Sequence, residues 1–532
     1  MTKCKLRIDE NGRSLWKYPV LILITLFFIG LSVMLRFPYL YEWDSVNYVK
    51  ALDEFNLFLN QPHPPGYVGF VFILKVGTSI FQDSFTAFLA IILLSYVVFA
   101  LFSTLLAKEL FDIEFDSGLY GFFLSVPIVF FHSQITTIYL TEGAVVVLIV
   151  YCLFKVLKGK WNPFWILLIL PGGLIKTNIP LVLLPLAIFV LFFRIKGPVQ
   201  KWIVISLLII ADILWYFTLN DLVFYLSRAP DVLDALITDY IFRDNILSGF
   251  LGGIKNLVLT VVKNIKNVIL ALVIQLLPLV FFLGVRSSRR SLLKSIQNRH
   301  TWFLMFWILP HLGFILLFYF PKNGYLLEIF SGLVLLYIGF FRWEQIRVRF
   351  KWIVAANLLL FFIPVQTDYF KAKIKISGQD KSRSEYIQSQ IIRVFETTYS
   401  HSRSIKNVYE YYFREIKRLK KQGRTLIILN NIISDYRVIP HYMNEEEFLI
   451  VQKTGTHFLI SSFKQDNTSI RLIERSNPTL ILKDYERIYL ITSTPDRYSD
   501  SLREVSKTVF RLIDNTIDIN GLEIRFPSQK SP

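Results

Sequence analysis

Residues 36–67 read RFPYLYEWDSVNYVKALDEFNLFLNQPHPPGY and follow directly on an apolar run that begins near residue 18. The stretch carries Glu42, Asp44, Asp53, Glu54 and His63 in a chain that is 53% hydrophobic. Carboxylates set against a membrane span are costly to desolvate, so they persist where something uses them. The stretch points to a chain of apolar spans with a charged site at the membrane surface.

Working outward, the composition agrees. The chain has 532 residues, only 18% of them charged, with mean hydropathy +0.47. Its 48 Phe and 26 Tyr suit membrane interfaces better than a soluble core. Crossing the hydrocarbon takes about 20 apolar residues. Runs of roughly that kind lie at 18–35, 84–107, 118–132, 141–157, 162–177, 179–194, 202–219, 256–283, 301–320, 324–341 and 352–366. The fold class expected is an α-helical polytopic membrane protein with about 11 transmembrane helices. Arg36-Phe37-Pro38 is a poor cleavage site, so the first run reads as a retained anchor. Cys4 and Cys152 are badly placed to pair, and no disulfide is expected.

The net charge of +18 follows topology. With the N-terminus cytoplasmic, basic clusters at 3–17, 155–160, 194–201, 286–299 and 342–351 all fall on the inner side. Outer segments hold scattered residues: Arg36, Lys50, Lys75, Arg228, Arg243, Lys255 and Lys322. The charge therefore needs no nucleic-acid partner. The expected location is the plasma or inner membrane. Residues 1–366 form the membrane domain, with a first outer loop at 36–83 and a large one at 220–255. Residues 367–532 form an extracytoplasmic α/β domain, helical over 381–421. Its strand-like runs are TLIILN at 425–430, FLIVQ at 448–452, HFLISSF at 457–463, SIRLI at 469–473 and RIYLITS at 487–493.

From Trp43 the opening stretch turns helical, with Trp43, Val46, Val49, Leu52 and Phe55 on one stripe. This predicts an amphipathic helix lying on the membrane. Asp53 and Glu54 read as a solvated face. Asp44, at the helix start, reads as an N-cap and as a functional acid, two compatible roles. In QPHPPGY, Pro64 and Pro65 fix an extended turn and Gly66 permits close approach, so His63 is held rigidly. Elsewhere, Glu142 reads as a helix-start acid or a functional one, and Lys176 as a snorkelling lysine or a phosphate partner. Asp212 reads as half of a structural ion pair, and His311 as a core histidine. Arg243, in the large outer loop, is placed to close over a substrate.

Taken together, these motifs resemble the GT-C glycosyltransferases, nearest to the protein O-mannosyltransferases and the bacterial lipid A aminoarabinose transferases. The resemblance covers about residues 15–345. HPPGY at 63–67 is similar to the family's Lys/His-Pro-Pro turn, and IYLTEG at 138–143 to its second acidic motif, matching Glu142. LPGGLIKTNIPLVLLPL at 170–186 resembles the Gly-rich, Lys-bearing segment, matching Lys176. FPKNGYLLEIF at 320–330 resembles the late basic-aromatic motif, matching Lys322 and Tyr325. Where the family has adjacent Asp-Glu, this chain has Glu42-Trp43-Asp44. The resemblance implies a polyprenyl-phosphate-sugar donor, a protein, lipid or glycan acceptor, and inversion at the anomeric carbon.

A lipid-borne donor fits a chain with neither a G-x-G-x-x-G after a strand nor a P-loop. The base for the acceptor proton is assigned to Asp44. Stabilisation of the departing phosphate is assigned to His63, Lys176, Arg243 and Lys322. A divalent metal, Mg or Mn, bridged to the phosphate by Asp44 or Glu142 stays open, and no tight His/Cys cluster exists. The alternatives are a lipid-linked sugar transporter or flippase, and a non-catalytic membrane scaffold.

Overall fold

The computed structural model describes residues 17–57, 59, 61–63, 67–227, 253–284, 298–317, 322–341, 343–365 and 394–419, and short segments between 425 and 525. Helix α1 spans Lys17–Met34 and α2 spans Trp43–Lys50. Then come α3 at Val68–Phe81, α4 at Ser84–Phe111, α5 at Ser117–Ser125, α6 at Pro127–His132 and α7 at Tyr139–Leu157. After α8 at Ile169–Ile175, α9 at Ile179–Arg194 and α10 at Pro198–Ser227, α11 runs over Gly253–Leu283 and α12 over Arg299–Leu317. Helices α13 at Leu327–Ile338 and α14 at Phe350–Phe361 complete the bundle.

Local chemistry sets several boundaries. Thr86 N donates to Asp83 Oδ2 at 2.8 Å and caps α4, while Leu119 N donates to Asp116 Oδ1 at 2.8 Å and caps α5. The apolar run 118–132 is two helices, not one. Pro127 has no N–H and pushes Val126 to ψ 127°, which separates α5 from α6. The run 162–177 is a 3-10 segment, Pro163–Leu168, followed by α8. Lys176 ends α8 in an extended conformation (φ −154°, ψ 121°). The segment expected as the first outer loop, 36–83, is not all loop, because α3 is an apolar helix inside it. Lys75 within α3 hides that run from a search for uncharged segments.

Among the described residues, five helices are long and apolar enough to cross a membrane: Ser84–Phe111, Tyr139–Leu157, Pro198–Val223, Gly253–Leu283 and Arg299–Leu317. Five shorter apolar helices accompany them: Pro19–Met34, Val68–Phe81, Pro163–Ile175, Ile179–Arg194 and Asn323–Ile338. The outward faces are apolar, as at Trp202, Leu207 and Phe217 on α10 and Val258, Val262 and Ile269 on α11. An integral membrane protein results. Helix α7 is the axis: 78% of its apolar window is buried, against 22% for Pro198–Val223. Hydroxyls tie α7 and α4 to their neighbours, with Ser95 Oγ 3.0 Å from Thr141 Oγ1 and Ser103 Oγ 2.6 Å from Ser331 Oγ. Such bonds average about 0.6 kcal/mol within a membrane.

Small residues permit the tightest crossings. A Cβ at Gly69 of α3 would lie 2.7 Å from Leu174 Cβ and 2.9 Å from Leu174 O on α8. Backbone cannot move aside cheaply, so Gly69→Ala is expected to cost about 1–3 kcal/mol. Thermal unfolding of the purified variant checks this, and an unshifted midpoint would refute it.

Among the C-terminal elements, α15 spans Tyr399–Leu419 and α16 spans Val438–Tyr442. Strands β1 Thr425–Asn430, β2 Glu447–Lys453, β3 His457–Lys464, β4 Asn467–Glu474, β6 Arg487–Ile491 and β7 Phe510–Leu512 form one sheet, in the order β4-β3-β2-β1-β6-β7. Strand β1 is parallel to both β2 and β6. A second sheet has the order β5-β9-β8, from Thr479–Ile481, Leu522–Arg525 and Thr516–Ile519.

Candidate active site

The start of α2 is buried, not laid on a surface. Asp44, Ser45, Val46, Asn47 and Tyr48 are all buried, which corrects the expected membrane-surface helix. The helix also stops at Lys50, before Leu52 and Phe55 of the stripe. Asp44 is not the N-cap. Glu42 occupies that position, in an extended conformation.

Two things hold this segment. From the bundle, Thr136 Oγ1 accepts from Tyr41 N at 3.0 Å, and Ser45 Oγ donates to Thr136 O. From the C-terminal elements, Tyr409 Oη donates to Tyr41 O at 3.0 Å, and Leu40 N donates to Tyr442 Oη at 2.8 Å. Phe37, Tyr39, Tyr409, Phe413 and Tyr442 pack edge to face around these bonds. Burial pushes the Tyr442 phenol up to about 12, so it stays neutral. Tyr442→Phe should remove about 1 kcal/mol of restraint. The expected readout is backbone hydrogen exchange at residues 40–44 that is about fivefold faster; unchanged exchange would show that the aromatic packing alone holds the loop.

The segment presents two carboxylates to one lysine. Lys322 Nζ contacts Glu42 Oε2 and lies 3.0 Å from Asp44 Oδ2. His63 Nδ1 lies 3.3 Å from Asp44 Oδ1, so each oxygen of Asp44 faces a basic group. Burial pulls the Lys322 pKa down, but Asp44 and Glu42 outweigh it and hold the ammonium well above its ordinary value. Its side chain is still 32% exposed, so the pair opens to solvent. Trp43, Tyr48 and Tyr67 surround the His63 ring, at centroid distances of 6.0, 5.5 and 5.0 Å. Pro64, Pro65 and Gly66 lie outside the described residues.

Behind this pair lies a second, sealed cluster. Lys176 Nζ lies 2.9 Å from Glu142 Oε2 and 2.6 Å from Glu328 Oε1. His311 Nε2 is 3.3 Å from Glu328 Oε2, and Trp307 Nε1 donates to Glu328 O at 3.1 Å. All four ionisable groups are buried. Tyrosines separate the clusters. Lys176 Nζ sits 4.4 Å from the Tyr325 ring, Tyr325 lies 5.2 Å from Tyr139, and Lys322 Nζ is 5.8 Å from the Tyr139 ring. Gly324 abuts Tyr139 so tightly that a Cβ there would collide with the ring. Both clusters lie at the Tyr139 end of α7, opposite Lys155, which pairs with Glu109 at 2.8 Å.

Of the residues singled out in the sequence, Asp44, His63 and Lys322 meet in the first cluster. Glu142 and Lys176 meet in the second, against Tyr325. Lys176 neither snorkels nor stands open to a phosphate, because two carboxylates enclose it. His311 is a core histidine that also faces Glu328. Arg243 lies outside the described residues. Glu54 is exposed and accepts from Asn56 Nδ2 at 2.9 Å, and Asp53 is exposed. Asp212 is buried on α10 without an ion pair among the described residues. Sequence reasoning missed Glu328, although an acid inside the apolar run after Tyr325 was a usable signal. It also missed Glu42 as a partner of Lys322.

Asp44 and Glu142, each considered as holding a metal on the phosphate, do not form one site. Each carboxylate faces a different lysine, and among the described residues no group of three or more His, Cys, Asp or Glu could hold an ion.

No family model and no curated protein matches the chain. Solved structures do. The ArnT protein of Cupriavidus metallidurans, bound to undecaprenyl phosphate, aligns over 82% of this chain and 86% of its own at 12% identity, with TM-score 0.49. An oligosaccharyltransferase of Archaeoglobus fulgidus aligns over 79% of this chain and 61% of its own at 13% identity, with TM-score 0.37. Function rests on the residues.

Proposed function

We propose that the chain is a membrane glycosyltransferase of GT-C type. It moves a sugar from a polyprenyl-phosphate donor to an acceptor hydroxyl or amine at the outer membrane face, with inversion. One observation carries this reading: a carboxylate, Asp44, sits between a histidine and a partly exposed lysine, at the end of an apolar bundle. The arrangement pairs an acceptor of protons with a fixed positive charge, the two groups that displacement of a phosphate requires.

In this reading Asp44 takes the proton of the acceptor as its oxygen or nitrogen attacks the anomeric carbon. The bond to the lipid phosphate breaks, and the charge that develops there falls to Lys322. His63 orients Asp44 from the other oxygen. Arg243, outside the described residues, is kept as a candidate group to close over a substrate. Glu142 and Lys176 take a different part from the one first assigned. With Glu328 and His311 they form a buried brace behind the tyrosine layer.

Purified protein incubated with a radiolabelled polyprenyl-phosphate sugar and a panel of acceptors tests the proposal. Label transferred to an acceptor supports it. In proteoliposomes, movement of label across the bilayer without transfer would establish a transporter instead, and neither outcome would leave a scaffold.

A further inference from the structure

The two carboxylates around Lys322 pose a problem for the proposed chemistry. Asp44 Oδ2 accepts from the ammonium at 3.0 Å, and Oδ1 lies 3.3 Å from His63 Nδ1, so a cation holds one oxygen and an imidazole crowds the other. A carboxylate held by an ammonium is a weaker base toward an acceptor's proton. Lys322, for its part, is shared between Glu42 and Asp44, and neither carboxylate has it alone.

Resting on the glycosyltransferase reading, we propose that Glu42 is a positioning residue that parks Lys322 against Asp44 until a lipid phosphate draws the lysine away. The exchange takes the ammonium off Asp44 Oδ2 and makes binding ordered, donor before acceptor.

The geometry supports an exchange over a permanent lock. Lys322 carries 32% side-chain exposure, against 7% for Lys176, so one lysine is reachable and the other is not. The cation enclosed by Glu142 and Glu328 has no route to an incoming anion, which leaves Lys322 as the described lysine of the site that can change partners. A phosphate is a stronger competitor than either carboxylate alone, because it offers several charged oxygens to one ammonium. The distance moved is short, since a lysine side chain reaches new partners by rotating about its own four-carbon stem. Glu42 sits at the N-cap with its main chain fixed by Ser45 N and Val46 N, at 3.0 and 3.3 Å from Glu42 O, so it stays behind when the lysine leaves.

The exchange predicts the unusual result that removing a charge tightens binding. With undecaprenyl phosphate as the probe and the full chain in detergent, Glu42→Gln is expected to bind about three- to fivefold more tightly than the wild type, as loss of one partly exposed ion pair allows. Glu42→Asp keeps the charge and is expected to match the wild type. Lys322→Gln, which removes the anchor itself, is expected to bind at least about tenfold more weakly. Equal or weaker binding by Glu42→Gln overturns the proposal, as does unchanged binding by Lys322→Gln, which reads the exchange independently if the Glu42 variant does not fold. No saturable binding of the probe to the wild type overturns the donor reading itself. In transfer kinetics, product-inhibition patterns of an ordered mechanism, lipid phosphate leaving last, are expected for the wild type, and acceptor binding first would contradict the exchange.

Discussion

Asp44→Asn is expected to slow sugar transfer by about 10²–10⁴-fold, the usual contribution of a positioned general base. The substitution keeps the shape and most hydrogen-bonding capacity, and removes the ability to accept a proton. The surrounding structure should tolerate it, because Glu42 still pairs with Lys322 and the segment is held by Thr136, Tyr409 and Tyr442. Binding of undecaprenyl phosphate should survive, since Lys322 remains. The diagnostic pattern is a collapse of kcat with the donor still bound. Full activity in Asp44→Asn would remove it as the base and turn attention to Glu42, which shares its lysine.

Lys176→Met carries the largest expected effect on stability. It leaves Glu142 and Glu328 facing each other, buried, without their shared cation. Breaking a buried pair by removing one partner typically costs about 3–5 kcal/mol, because the remaining charge stays desolvated. Four helical segments lose a common anchor, since Glu142 is on α7, Lys176 ends α8, His311 is on α12 and Glu328 is on α13. A large fall in the unfolding midpoint of the purified protein is the expected measurement. Neutralising all three in Lys176→Met, Glu142→Gln, Glu328→Gln should recover much of the loss, since no bare charge then remains. A single Lys176→Met variant as stable as the wild type would mean that the cluster is no brace, and Lys176 would return as a candidate for the lipid phosphate.

The two variants separate the clusters. One is open, paired with a histidine and an exchangeable lysine; the other is sealed behind Tyr139 and Tyr325. The tyrosine layer between them explains how six charged groups crowd one end of a bundle without forming a single pool. A mutation in the brace should change stability more than rate, and one in the open pair the reverse.

Much of this was legible in the chain itself. Apolar runs longer than a soluble core needs, and carboxylates where a span ends, are local properties that periodicity and solvation cost expose directly. The strand runs at 425–430, 448–452 and 457–463 announced themselves through β-branched and apolar residues. Other features resisted. Pro127 breaks an apolar run that hydropathy alone treats as continuous, and Lys75 conceals α3. Arg243 drew attention because it is basic in an outer segment, and composition has no means to say what a single arginine touches.

The sequence by itself determined a chain of apolar spans and singled out Asp44 as a candidate acid, because burial cost and helical spacing act over a few residues. Only the tertiary structure decided which charge meets which. Asp44 and Lys322 lie 278 residues apart, and Lys176 and Glu328 lie 152 apart, so neither contact leaves a trace in local pattern. Helix packing brings them together, and packing makes one lysine an enclosed structural ion and leaves the other able to change partners.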